Sequence, residues 1–77
     1  MNAEEDKMIA QLLSEKSTEA EQKSALKWLS EYLEQDYILN LPPSKNAMKA
    51  LESFSKKKKA PSWLKTQARK TIAKYKI

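Results

Sequence analysis

Glycine, cysteine, histidine and valine are all absent from this 77-residue sequence, and each absence removes a class of structure or chemistry. Without cysteine there are no disulfides, no thiolate zinc sites and no thiol nucleophiles. Without histidine the commonest general base and metal ligand is gone. The lack of glycine excludes the P-loop and the dinucleotide-binding turn, whose backbones approach phosphate only where no Cβ intervenes. The lack of valine weakens any β reading. No segment approaches the roughly 20 consecutive apolar residues that cross a bilayer. Glu4, Glu5 and Asp6 precede the first apolar stretch, the wrong sign for a secretory leader. The expected location is therefore the cytoplasm, with no membrane partner.

What is present is charge, unevenly placed. The whole chain carries a formal net charge of +5. Residues 1–36 hold nine acids against four lysines, a net of −5, while residues 37–77 hold the single acid Glu52 against eleven bases, a net of +10. Such asymmetry between halves points toward nucleic acid or another anionic surface. A chain of this length makes one domain, and at 40% hydrophobic residues its core has little to spare against chain entropy.

The apolar spacing predicts an all-α, single-domain bundle of four short helices, at about 3–15, 19–36, 45–55 and 61–76. In the first, Met8, Ile9, Leu12 and Leu13 form one face, and the leading acids suit the positive end of the helix dipole. Thr18-Glu19-Ala20-Glu21 is a capping box that starts the second. There Ala25, Leu26, Leu29, Tyr32 and Leu33 repeat at helical spacing, with Trp28 beside Tyr32 at the edge of the stripe. Asn40-Leu41-Pro42-Pro43 ends this region, because proline disfavours helix in the residue before it. Tyr37, Ile38, Leu39 and Leu41 are expected to form an apolar connector folded back onto the core. Ser44 is a suitable N-cap for the third helix, with Ala47, Met48, Leu51 and Phe54 facing inward. Pro61 suits the first turn of the fourth, where Leu64, Ala68, Ile72 and Tyr75 share one stripe.

The residues offer no conventional catalytic site. Paired-carboxylate chemistry needs one acid desolvated, and the acids here fall on polar helix faces or near the terminus. No D-x-D-x-D-G loop marks a calcium site, so neither a metal nor a cofactor is expected, nor a small-molecule substrate. A nucleophilic lysine needs burial as well as cationic crowding, and Lys56–Lys59 supply only crowding.

The basic half carries the functional expectation. On a helical wheel Trp63, Gln67, Lys70 and Lys74 share the outward face of the fourth helix, and Lys65, Arg69 and Lys76 flank its apolar stripe. Lys56, Lys57, Lys58 and Lys59 lie just before its N-terminus. Ammonium groups neutralise phosphates and release counterions, and a solvent-facing tryptophan stacks on a base. Base readout prefers Arg, Asn or Gln, and Arg69, Gln67 and Asn46 are the candidates, so little sequence specificity is expected. The expected function is a non-catalytic nucleic-acid-binding accessory or regulatory protein, with DNA placed ahead of RNA. The competing bland reading makes the lysine run a solvated turn and Trp63 a packing residue. The third and fourth helices invite comparison with a helix-turn-helix, but the connector is too long and lacks the usual glycine. The alternative function is a protein-interaction module, a small inhibitor or adaptor, using charge and the Met8, Ile9, Leu12, Leu13 face as helix-in-groove anchors. Opposite poles on one chain also permit weak, salt-sensitive self-association.

Overall fold

A computed structural model describes residues 3–76. Four helices follow one another in the expected order: α1 (Ala3–Leu13), α2 (Glu19–Ile38), α3 (Lys45–Ser55) and α4 (Ser62–Tyr75). They pack as a ring in which α1 touches α2 and α3, α4 touches the same two, and α1 and α4 are not neighbours. Across the diagonal α2 and α3 barely meet. The core inside this ring is built from Leu12, Leu29, Leu33, Leu51, Phe54 and Leu64, all fully buried, with Ala25, Ala47 and Ala68 at the close approaches. Each such leucine or phenylalanine contributes about 1.5–3 kcal/mol relative to leaving it in water.

Helix boundaries follow from how a glycine-free chain satisfies its terminal backbone groups. The capping box of α2 is complete: the Glu21 N–H donates to Thr18 Oγ1 at 3.1 Å, and the Thr18 N–H donates to Glu21 Oε1 at 2.8 Å. Ser44 caps α3 by accepting from the Ala47 N–H at 3.3 Å. α1 ends at Leu13, two residues before the expected stop, because side chains from outside the helix take its last carbonyls. Ser17 Oγ donates to the Gln11 carbonyl at 2.5 Å, and Lys57 Nζ donates to the Leu13 carbonyl at 2.8 Å. α4 begins at Ser62, with Pro61 outside it as the N-cap residue.

α2 corrects a second expectation. It runs to Ile38, two residues past the predicted end. The Leu41 N–H then donates to the Asp36 carbonyl at 2.8 Å and the Asn40 N–H to the Tyr37 carbonyl at 3.1 Å. This pair is a Schellman closure. It requires a left-handed residue, and Asn40 supplies it with φ of 62°, as asparagine does more readily than other non-glycine residues. The predicted fold-back of the apolar connector does not occur. Tyr37, Ile38, Leu39 and Leu41 are 65%, 71%, 65% and 53% exposed, because the closure turns the chain at the end of the bundle, where Tyr37 meets the core at the edge of Tyr75.

Glu5 is the third correction. It is buried rather than on a polar face, and it accepts from Ser44 Oγ at 2.5 Å, joining the first turn of α1 to the cap of α3.

Candidate nucleic-acid interface

The ten residues proposed as a basic interface separate into three groups once their surroundings are known. Lys56, Lys58, Lys59 and Lys70 are exposed, and neither of the ion pairs among the described residues involves them. All four are open to an approaching anion, Lys59 from a cleft that it shares with Glu15 and Glu19. Lys56 is also the C-cap of α3, where a cation suits the negative end of the helix dipole.

A second group serves the fold. The Lys57 side chain is only 17% exposed; besides capping α1 it pairs with Glu15 at 3.4 Å. Arg69 Nη2 donates to the Ser55 carbonyl at 2.9 Å and so closes the C-terminal end of α3. Lys74 Nζ lies 3.3 Å from Glu34 Oε2, and the same carboxylate oxygen accepts from the Tyr75 hydroxyl. Hydrogen bonds from Tyr75 and then Lys74 hold the Glu34 carboxyl below its ordinary 4.5. Those to Tyr75 and Glu34 raise Lys74 above 10.5. Burial, followed by the bond to Glu34, raises the Tyr75 phenol above 10.0. Lys74 thus stands beside a carboxylate that offsets its charge. Lys65 is half-buried and belongs to neither ion pair.

Trp63 and Gln67 form the third group, which borders α2 instead of facing straight outward. At 100° per residue, they lie on the same flank of α4 as Thr71 and Lys74. The indole Nε1–H of Trp63 donates to Glu19 Oε2 at 3.3 Å, and Lys23 Nζ sits 5.8 Å from the ring centroid. The ring is 46% exposed, so it is neither a core residue nor a free platform. Further along the seam Ser30 and Thr71 meet at 3.2 Å, and Tyr37 meets the edge of Tyr75 with ring centroids 6.0 Å apart. The order of these contacts makes α2 and α4 parallel neighbours. Between them lies a groove of about 330 Å³ whose rim includes Lys23 and Lys27. Both lysines belong to the acidic half of the sequence, and the charge count by halves gave no reason to select them. Their spacing of four residues on the flank of α2 shared with Ser30 and Glu34 was the available signal.

Folding also mixes the two charged halves. Glu15 and Glu19 line a cleft with Lys57 and Lys59, and Glu34 meets Lys74, so the poles seen in sequence are joined at two places.

The residues proposed for the alternative, a partner-binding face on α1, are largely occupied. Leu12 is fully buried, and Met8, Ile9 and Leu13 pack against the core. That stripe holds α1 in the ring; Met8, Ile9 and Leu13 keep partial exposure, and Ile9 and Leu13 border a cleft shared with α3.

Among the described residues no group of three or more His, Cys, Asp or Glu is arranged to hold a metal, and no helix is long and apolar enough to cross a membrane. No family model, curated protein or solved structure matches the chain.

Proposed function

We propose that the protein acts without catalysis, as a small accessory or regulatory protein that binds nucleic acid through phosphates. The observation carrying this reading is that Lys56, Lys58, Lys59 and Lys70 are exposed and outside the ion pairs of the fold. From Lys45 to Lys76 the only acid is Glu52. The lysine loop leads directly into α4, whose N-terminus has no side-chain cap, so its first N–H groups add to the attraction for an anion. Contacts of this kind position a phosphate backbone and carry little sequence information.

A mobility-shift series with short DNA and RNA tests the reading. Binding should weaken linearly in log K against log salt. Replacing Lys56, Lys58, Lys59 and Lys70 with glutamine should reduce the slope on duplex DNA by about three to four. Absence of any shift at low salt, with the protein folded, overturns it.

A second reading rests on a different surface. Four large apolar residues between Tyr37 and Leu41 are more than half exposed, beside a cleft of about 380 Å³ that includes Pro42, Pro43 and Tyr75. Contiguous exposed apolar surface in a small protein is a feature of protein–protein contact sites. In this reading the protein is an inhibitor or adaptor, and the contact lies at the end of α2, not on α1. Replacing Ile38 and Leu39 with serine should abolish capture of one defined, nuclease-resistant partner while leaving helix content unchanged.

A further inference from the structure

The seam between α2 and α4 brings together groups that a phosphate site does not need. Leu26 and Leu64 lie in the groove, Trp63 stands beside them half-exposed, and Lys23 and Lys27 occupy the α2 rim. The volume of about 330 Å³ falls at the small end of the roughly 300–1,000 Å³ typical of ligand pockets. A lysine surface alone would bind any phosphate chain equally. An indole set among cations adds a face on which a base can stack, provided that base is not already paired and stacked in a duplex.

The polar groups in the groove have unused capacity of the right kind. Ser30 Oγ lies 2.9 Å from the Leu26 carbonyl, Thr71 Oγ1 lies 3.0 Å from the Gln67 carbonyl, and the two hydroxyls are 3.2 Å apart. Two hydroxyl protons cannot serve three contacts at once, so the pair has accepting capacity to spare and no spare donor. The exposed Gln67 amide offers both a donor and an acceptor beside it.

We propose that this groove takes one unpaired base of a single-stranded nucleic acid, stacked on Trp63, with the adjoining phosphates on Lys23 and Lys27. The inference rests on the nucleic-acid reading above and names the form of nucleic acid that the surface prefers. The Gln67 amide meets the base edge, and the Ser30–Thr71 pair accepts from a base N–H. Lys23 already lies against the indole and moves from the ring to the phosphate as the strand enters. Glu19 opposes them in charge; by accepting from the indole N–H it fixes the ring by one edge, and the face under Lys23 is the one the base takes when that lysine moves.

The test uses Trp28→Phe, which leaves Trp63 as the only tryptophan. A short oligothymidylate should quench its emission on binding, and a duplex of equal length should bind without quenching. In the parent protein, Trp63→Ala should weaken oligothymidylate binding by about tenfold or more and duplex binding by less than twofold. Trp63→Phe should recover part of the loss. Lys23→Gln with Lys27→Gln should lower the salt slope for the single strand by about one to one and a half. Circular dichroism establishes that each variant is folded. Equal affinity for both forms with unchanged Trp63 emission overturns the groove while leaving phosphate binding by the lysine loop in place. Failure of both forms to bind at low salt removes the underlying reading as well.

Discussion

Lys57 reaches 44 residues back along the chain to donate its ammonium to the carbonyl of Leu13, at 2.8 Å. That contact ends α1, ties the α3–α4 loop to it, and removes one lysine from a run of four that looks uniform in sequence. The neighbours Lys58 and Lys59 remain exposed. The same side-chain chemistry therefore has two uses within three consecutive residues.

Those uses separate by mutation. Lys57→Gln should lower stability by about 1.5–3 kcal/mol, the range for a hydrogen bond made by a charged group, read as a lower urea midpoint with unchanged slope. Lys58→Gln and Lys59→Gln should each stay within about 0.5 kcal/mol of the parent while weakening nucleic-acid binding. Equal destabilisation by all three would contradict the division of the run.

The Glu34–Lys74–Tyr75 cluster predicts both limbs of the pH–stability curve. Glu34 has a lowered folded pKa, so its contribution is present above its ordinary 4.5 and is lost as pH falls through the lower folded value. Lys74 and Tyr75 have raised folded values. Their contributions are full below 10.5 and 10.0 respectively, and disappear as pH rises through the folded values. Glu34→Gln should flatten the acid limb and diminish the alkaline one in denaturant titrations at stepped pH. An unchanged pH profile would show that the cluster does not couple to folding.

Asn40 supplies the left-handed residue that closes α2. Asn40→Ala should cost about 1 kcal/mol, because a Cβ without a local hydrogen-bonding group resists that conformation. Asn40→Gly should be neutral or slightly stabilising. Thermal or urea midpoints decide it, and a loss for glycine as large as that for alanine would remove the backbone explanation.

Surface and core leucines should differ sharply. Leu39→Ala, at a site 65% exposed, should shift stability by less than about 0.5 kcal/mol. Leu29→Ala, at a fully buried site, should cost about 2–5 kcal/mol. Were Leu39→Ala to destabilise strongly, the apolar end of α2 would be part of the folding unit and the protein-contact reading would lose its basis.

Local interactions made much of the fold readable in advance. The apolar stripes, the Thr18–Glu21 box and the Ser44 cap act between residues a few positions apart, and their patterns specify helices wherever the chain goes afterwards. The same pattern failed at Tyr37–Leu41, because an apolar string does not state whether a core lies within its reach. The bundle ends there, and the Schellman closure turns the string outward.

The sequence by itself determined four helices, the absence of histidine, cysteine and glycine chemistry, and the abundance of lysine in the second half. Only the tertiary structure decided which lysines are available. Lys57 with Leu13, Trp63 with Glu19, Lys74 with Glu34 and Ser30 with Thr71 are contacts across roughly forty residues or more. They arise from the ring packing of the helices and from α2 and α4 lying parallel. The physical reason is range. Helix formation is governed by neighbours within a turn, whereas the partner and exposure of a charged side chain depend on which distant helix folds against it.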